Sequence, residues 1–277
     1  MLCDLHTHSV FSDGTYTPAE IIDGAIEAGL SAIALTDHNT VEGLTDFISA
    51  AQGKNIDIVP GIEFSVDYCG KEIHILGLFI SPEHYDKASD LMESVNKSKE
   101  ESNIALIDSL NRAGYQLDYQ SIKNSTPSGK INRAHIAAAM VQKGYISSIK
   151  EGFDTVLSKT AGHYKEPKRL TARKIIGFIN SIGAVAVLAH PFLNLNEAEL
   201  VEFLSTAEGL SGIECYYSTY DEETTKTSLR IAEEFDLVCS GGSDFHGATK
   251  PDIKLGVGRG DLRVPFECYL KLKERKK

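Results

Sequence analysis

Short apolar runs alternate with segments of helical periodicity along most of the chain, and this alternation limits the possible folds more than any other feature. Each apolar run ends in a polar or glycine-rich turn, as buried strands do. The first helical segment has Thr17 as its N-cap and Pro18 at its first position, and Gly29 ends it. Strands joined through helices pair in parallel, so we expect an α/β protein built from βα units. The predicted strands are Met1–Leu5, Ala32–Thr36, Ile56–Pro60, Ile73–Ile80, Ala184–Ala189, Gly212–Tyr216 and Leu237–Gly241.

The stretch 82–169 breaks this alternation and contains no strand-like run. Ala88–Ala113 predicts one or two amphipathic helices, and Arg133–Lys143 predicts another. A helical subdomain inserted into an α/β barrel explains this pattern best. We therefore expect residues 1–81 and 170–277 to form the barrel and residues 82–169 to form the inserted helical subdomain.

The composition is that of an ordinary globular protein and argues against a disordered, fibrous or membrane protein, since 42% of the 277 residues are hydrophobic and 24% are charged. Five cysteines without a CxxC pair predict reduced thiols, and the sequence has neither a signal-like start nor an apolar run of about 20 residues. These features predict a cytoplasmic protein.

The net charge of −11 is unevenly distributed, because Lys97–Lys174 holds 14 Lys and Arg against 7 Asp and Glu. Overall acidity weighs against a stable complex with long nucleic acid. A local excess of cations is compatible with a small phosphorylated substrate, such as a nucleotide or short RNA.

Nearly every predicted strand ends in a histidine or a carboxylate. His6 and His8 lie two residues apart and point to the same side, so both can bind one metal ion. The carboxyl ends of strands in a parallel barrel open onto one face, where these side chains should converge. Nitrogen and oxygen donors without a thiolate favour Zn²⁺, Mn²⁺ or iron, and nine donors are too many for one ion. The predicted metal ligands are His6, His8, Asp13, His38, Glu63, His74, His190, Asp244 and His246.

The motifs around these residues resemble those of the PHP (polymerase and histidinol phosphatase) superfamily over nearly the whole chain. The most similar members are the stand-alone bacterial metal-dependent phosphoesterases, which share the helical insertion. The resemblance implies a distorted (β/α)7 TIM-like barrel. The motifs are His6-x-His8, Ser12-Asp13-Gly14, Thr36-Asp37-His38-Asn39, Gly61-x-Glu63, His74, Ala189-His190-Pro191 and Ser243-Asp244-x-His246.

The resemblance also implies a site of three divalent metal ions (Mn, Zn or Fe). Glu63 would bridge two of the ions. The first ion would be held by His6, His8, Glu63 and Asp244, the second by Glu63, His74 and His190, and the third by Asp13, His38 and His246.

The activity implied is that of a metal-dependent phosphoric ester hydrolase acting on nucleotides or RNA 5′ ends, either as a 3′,5′-bisphosphonucleotide phosphatase or as a 5′–3′ exonuclease. Clustered cations neutralise phosphate oxygens and supply a metal-bound hydroxide, so no Ser or Cys nucleophile is needed. The alternatives are histidinol-phosphate phosphatase, an amidohydrolase that cleaves C–N bonds, and a non-catalytic metal-binding module. An amidohydrolase would usually have a bridging lysine where this chain has Glu63.

Three further residues are candidates for the reaction itself. Arg133 opens a helix, where its guanidinium and the helix N-terminal amides could hold a phosphate. Arg133 and His135 also match an Arg-x-His element that faces the metals in the similar phosphoesterases; a solvated Arg133 and a helix-capping His135 are the alternative. Asp37 lies beside a predicted ligand, and we expect it to orient an imidazole, with general acid as the alternative role.

Overall fold

The computed structural model describes residues 1–126 and 129–277. The α-helices are α1 (Pro18–Glu27), α2 (Leu44–Ala50), α3 (Tyr85–Arg112), α4 (Tyr119–Ser125), α5 (Arg133–Gln142), α6 (Ile149–Asp154), α7 (Ala172–Ser181), α8 (Glu197–Thr206), α9 (Glu222–Glu234) and α10 (Phe266–Glu274). The β-strands are β1 (Cys3–Asp4), β2 (Ala32–Leu35), β3 (Asp57–Tyr68), β4 (Lys71–Leu78), β5 (Leu170–Thr171), β6 (Val185–Ala189), β7 (Gly212–Tyr217) and β8 (Val238–Gly242). Among these helices, none combines the length and the apolar character needed to cross a membrane.

Seven of the eight strands follow one another in a sheet in the order β1-β2-β3-β4-β6-β7-β8, whose two edges meet in a nearly closed barrel, and the short β5 pairs with β3. The Leu5 N–H donates to the Gly241 carbonyl at 3.0 Å, and the Asp244 N–H donates to the His6 carbonyl at 2.9 Å. Strands β1 to β3 pair in parallel, and so do β6 to β8. The fold is the distorted (β/α)7 TIM-like barrel that the resemblance implies, with helices on its outer surface.

Gly242 makes the closure of the barrel possible. A Cβ at this position would lie 2.4 Å from the Cβ of His6 and 2.5 Å from its backbone nitrogen. Carbon atoms that are not bonded to each other pack at about 3.5–4.0 Å, so a larger residue would push β8 away from β1. The glycine therefore sets the position of His6 relative to the loop that follows β8.

The predicted strands match the observed bounds within two residues, except that β3 continues to Tyr68. There the chain turns directly into β4 through Cys69 and Gly70, whose φ angles are 50° and 78°. Two successive residues with positive φ are typical of a type I′ hairpin turn. Strand β4 is therefore antiparallel to β3 and β6, and our expectation of parallel pairing throughout was wrong for this strand.

Residues 82–169 contain an apolar cluster separate from those of the barrel. The long helix α3 reaches both regions, because Ala88 packs in a barrel cluster and Leu106 packs in the separate one. A core of its own is what an independently packed unit needs. We propose that 82–169 is an inserted helical subdomain on a barrel formed by 1–81 and 170–277.

The start of α1 offers a simple test of local stability. The Thr17 hydroxyl accepts from the Glu20 N–H at 3.3 Å, while the Glu20 carboxylate accepts from the Thr17 N–H at 2.7 Å. Thr17→Ala removes half of this capping box, and we expect it to lower the free energy of unfolding by about 1 kcal/mol in urea titrations. Thr45→Ala, at an exposed position inside α2, is the matched control and should change stability by less than about 0.5 kcal/mol. Equal effects of the two substitutions would contradict the capping role.

Candidate metal centre

All nine predicted ligands lie together at one end of the barrel. Seven are buried, and the side chains of His38 and His74 are only 15% and 17% exposed. His74 lies inside β4, as its place in the predicted strand Ile73–Ile80 implied, and Glu63 lies inside β3, which continues past the predicted strand end at Pro60. The reversed direction of β4 brings His74 to the same end as the others, opposite Ser65 on β3 and Ala189 on β6.

Glu63 is the centre of the cluster, and its two carboxylate oxygens face different imidazoles. The Oε1 atom lies 2.6 Å from His74 Nδ1 and 3.0 Å from His190 Nε2. The Oε2 atom lies 2.8 Å from His38 Nδ1 and 3.2 Å from His8 Nε2. It makes no hydrogen bond of suitable geometry with the part of the chain that is described. A buried carboxylate oxygen without a donor needs a cation, so this arrangement fits a bridging metal ligand.

Four donor atoms surround one point beside Glu63. The Nε2 atoms of His6 and His8 lie 3.1 Å apart, and Asp244 Oδ1 lies 3.7 Å and 3.2 Å from them. Glu63 Oε2 lies 3.4 Å from His6 Nε2. Donors held at about 2.1 Å by a tetrahedral ion are about 3.4 Å from one another. The observed separations therefore match those around a metal ion such as Zn²⁺.

Besides the donors near the two oxygens of Glu63, another group of donors surrounds Asp13. His246 Nε2 lies 3.2 Å from Asp13 Oδ1, and His38 Nε2 lies 3.8 Å from Asp13 Oδ2. His8 also reaches this group, because its Nδ1 lies 3.9 Å from Asp13 Oδ1. These four residues offer donor atoms close enough to hold one ion, and Asp13 Oδ1 has no hydrogen-bond donor in residues 1–126 and 129–277.

The charges of the site keep its carboxylates ionised. Burial opposes the ionisation of Glu63, but the surrounding imidazoles, His74 first, hold its pKa well below the usual value. Burial likewise opposes the ionisation of Asp244, and the ammonium of Lys250, 2.6 Å from its Oδ2, is the largest influence that lowers the pKa. Ionised carboxylates at neutral pH are what binding of a divalent cation requires.

The sequence analysis missed Glu214, which orients two of the histidines from β7. Its Oε1 lies 3.1 Å from His6 Nδ1, and its Oε2 accepts from the His190 N–H at 2.7 Å. A carboxylate at Nδ1 fixes the proton there and leaves Nε2 of His6 free as a donor to a metal ion.

Tyr217 and Asn132, also missed, hold the carboxylates. The Tyr217 hydroxyl donates to Asp244 Oδ2 at 2.7 Å, and the Asn132 amide donates to Asp13 Oδ2 at 2.7 Å. In each case one oxygen accepts a hydrogen bond from the protein, while the other, Oδ1, lies close to one or more histidine nitrogens. Asn132 comes from the 82–169 segment, so that segment takes part directly in the metal centre.

Asp37 holds the loop that follows β1. Its carboxylate accepts from the Ser9 N–H at 2.7 Å and from the hydroxyls of Ser9 and Ser12 at 2.6 Å. We expected Asp37 to orient an imidazole, and a serine hydroxyl lies between the two groups here, since the Oγ of Ser12 lies 3.5 Å from His8 Nδ1. Burial raises the pKa of Asp37.

Arg133 and His135 have different surroundings. The guanidinium of Arg133 lies over two aromatic rings, 4.2 Å from the centre of Tyr164 and 5.2 Å from that of Phe153. His135 Nδ1 accepts from the Asn132 N–H at 3.1 Å and so caps the start of α5, the alternative role considered for it. Burial lowers the pKa of His135.

A cavity of about 400 Å³ opens over the metal donors, and we call it the metal cleft. Arg169 lies in its wall with only 5% of its side chain exposed, held by Glu72 at 2.7 Å and Glu166 at 2.8 Å. Arg133 lines the cleft, whereas His135 is not among the described lining residues. The lining includes Asp13, His38, His74 and His246 on the metal side and the cations Lys99, Arg133, Lys159, Arg169 and Lys250.

Comparison with known proteins places this site in a family. The model of the PHP domain matches residues 4–186. Similar curated proteins include a 5′-3′ exoribonuclease of Haemophilus influenzae (31% identical, 88% of this chain and 89% of the relative). Two others are 30% identical: a phosphoribosyl 1,2-cyclic phosphate 1,2-diphosphodiesterase of Eggerthella lenta (89% of this chain and 95% of the relative) and a 3′,5′-nucleoside bisphosphate phosphatase of Chromobacterium violaceum (88% and 86%).

Solved structures show the same fold over the whole chain. A Bifidobacterium adolescentis protein described as a metal-dependent phosphoesterase superposes with a TM-score of 0.86 at 24% identity, and the match covers 99% of this chain and 96% of that one. A Chromobacterium violaceum protein described as an amidohydrolase, with bound sulfate and no metal, has a TM-score of 0.88 at 27% identity. This match covers 99% of this chain and 97% of that one. The chain thus belongs to the PHP domain family and is a metal-dependent hydrolase of phosphate esters.

Proposed function

We propose that the enzyme hydrolyses phosphate esters of nucleotides or short oligonucleotides at a centre of three divalent ions, Mn, Zn or Fe. The observation that carries this proposal is the metal cleft, in which metal donors face arginine and lysine side chains and aromatic rings. Cations suit phosphate groups, and the rings suit the apolar faces of a nucleoside. The names of the three curated relatives agree with such a substrate.

The geometry supports the following ligand assignment. The first ion would be held by His6, His8, Glu63 and Asp244, the second by Glu63, His74 and His190, and the third by Asp13, His38 and His246. Bound ions of this kind neutralise phosphate oxygens and activate water. Support comes from the division of the Glu63 oxygens between two sets of imidazoles and from the unpaired Asp13 Oδ1.

The remaining residues position the substrate and the donors. Arg133 presents its guanidinium to the cleft, where it would bind a phosphate group of the substrate. His135 acts indirectly by capping α5, which places Asn132 against Asp13 and Arg133 over the cleft. Asp37 acts as a positioning residue through the loop of Ser9 and Ser12.

The experiment that tests the proposal combines metal counting with a panel of substrates. Purified protein is analysed for bound metal and then assayed on AMP, a 3′,5′-bisphosphonucleotide, a 5′-phosphorylated oligoribonucleotide, histidinol phosphate and an amide. We expect three ions per chain and turnover of the nucleotide substrates. Turnover of histidinol phosphate alone would show that the enzyme is a histidinol-phosphate phosphatase instead. Cleavage of the amide alone would refute the phosphoesterase proposal.

Arg133→Ala tests the phosphate contact. We expect KM to rise about tenfold or more with little change in kcat, because a hydrogen bond to a charged group contributes about 1.5–3 kcal/mol. Arg173→Ala, at an exposed position on α7 outside the cleft, is the matched control and should leave KM unchanged. An unaltered KM in Arg133→Ala would remove this residue from the substrate site.

A further inference from the structure

A second cavity, of about 270 Å³, adjoins the metal cleft, and we call it the lysine cavity. Asp13, His38 and Asn132 line both cavities, so the donors around Asp13 form their common wall. Helix α3 forms another wall and is held against the barrel by Asn96, whose amide donates to the Asn39 carbonyl at 3.1 Å. A molecule that reacts at the metal centre could therefore extend into the lysine cavity without leaving the protein surface.

The lining of the lysine cavity has more basic than acidic residues, with Lys130 also ion-paired to Glu42 at 2.7 Å. Lys97 and Lys99 from α3, Lys123 from α4 and Lys130 line it. One acidic residue besides Asp13, Glu100, is present among the described lining residues. Its carboxylate is already bound by Lys123 at 2.7 Å and by the Tyr119 hydroxyl at 2.6 Å. An excess of ammonium groups in a concave site favours a polyanion.

The remaining surroundings suit a nucleotide. The ring of Tyr119 and the side chain of Ile131 give the cavity an apolar surface beside its cations. Aromatic rings next to a positive groove are the combination that binds single-stranded nucleic acid. The cavity is small, and the protein as a whole carries a net charge of −11, so only a short segment would be held.

We propose that the lysine cavity is a second substrate subsite, which holds the nucleotide next to the reacting phosphate through its phosphodiester. The substrate class is then a single-stranded oligonucleotide of at least two nucleotides. This inference rests on the proposed function and specifies its substrate. A mononucleotide fills the metal cleft alone, whereas an oligonucleotide fills both cavities.

The test compares substrates of different length in charge-reversal variants. Lys97 lies on the exposed side of α3, so Lys97→Glu should fold normally. We expect kcat/KM for a 5′-phosphorylated trinucleotide to fall about tenfold or more, while kcat/KM for a mononucleotide stays within about twofold. The slope of log(kcat/KM) for the trinucleotide against log[salt] should also become shallower by about one, because one phosphate contact is lost.

Lys87→Glu is the matched control, since it makes the same charge change on α3 at a position that lines neither cavity. It should alter neither the length preference nor the salt dependence. Equal losses on both substrates in Lys97→Glu, or an unchanged trinucleotide rate, would overturn the inference.

A binding measurement separates this inference from the proposed function. Fluorescence anisotropy with a labelled 5′-phosphorylated trinucleotide, in EDTA, reports binding without turnover. We expect Lys97→Glu to weaken binding about tenfold and Lys87→Glu to leave it unchanged. Equal affinity of both variants overturns the subsite, whether or not the wild-type protein hydrolyses nucleotides. Absence of nucleotide hydrolysis with an intact affinity difference overturns the proposed function instead.

Discussion

Glu63→Gln is expected to lose bound metal and to reduce turnover by roughly a thousandfold, equivalent to about 4 kcal/mol of transition-state stabilisation. The substitution preserves the shape of the side chain but removes the negative charge that faces five imidazoles. It also replaces an acceptor oxygen with an amide that is a poor ligand. Metal analysis of the purified variant, together with steady-state kinetics on the best substrate of the panel, measures both effects.

The fold should survive this change, because glutamine has nearly the same size and shape as glutamate. Circular dichroism is expected to match that of the wild type. His8→Ala is a companion variant, since His8 faces both the Glu63 and the Asp13 groups, and it should also lose metal and turnover. Wild-type metal content and activity in Glu63→Gln would refute the bridging assignment.

Asp4→Ala is expected to have the largest effect on stability, lowering the free energy of unfolding of the metal-free protein by about 3 kcal/mol. Asp4 is completely buried, and its carboxylate joins three parts of the chain. It accepts from the Ser243 N–H at 2.8 Å, the Ser243 hydroxyl at 2.5 Å and the Gly256 N–H at 2.8 Å, and its Oδ1 also lies 3.3 Å from the His6 nitrogen. Alanine would leave these buried donors without an acceptor. Urea denaturation in EDTA measures the loss.

Asp23→Ala is the matched control for this variant. The Asp23 side chain is 61% exposed and forms a surface ion pair with Lys54. Surface pairs contribute about 0–1 kcal/mol, so its removal should have a small effect. Equal destabilisation by the two variants would show that the hydrogen bonds of Asp4 do not stabilise the contact between β1 and the segments that follow β8.

The sequence was sufficient to predict most of the barrel because its local signals agree with its tertiary structure. The N-cap at Thr17 and the apolar runs lie where the structure has a helix start and strands. The direction of β4 was missed because the signal for its hairpin is weak. A type I′ turn usually has Asn or Asp before glycine, whereas Cys69 precedes Gly70 here. The available clue was the alternation of Ile62, Phe64 and Val66 with polar residues, which continues the strand toward Cys69 and Gly70.

The metal donors could be predicted as a set because histidines and carboxylates recur at the ends of strands. Their partners could not, since they depend on which side chains become neighbours after folding. Glu214 lies between Ile213 and Cys215 in a buried strand, and a carboxylate there was a sign of a buried polar partner. Asn132 contacts Asp13 across 119 positions of sequence, and no local pattern predicts such a contact.

The meeting of the first and last strands has a consequence for biosynthesis. The proposed ligands run from His6 to His246, and the backbone of His6 is hydrogen-bonded to Asp244. Chains emerge from the ribosome amino terminus first, so β1 is synthesised long before β8. The full set of nine proposed ligands is present only after β8 has emerged. The ions whose proposed ligands include Asp244 or His246 can therefore bind fully only late in folding. Full metal loading would instead distinguish finished chains from nascent or truncated ones, which lack Asp244 and His246.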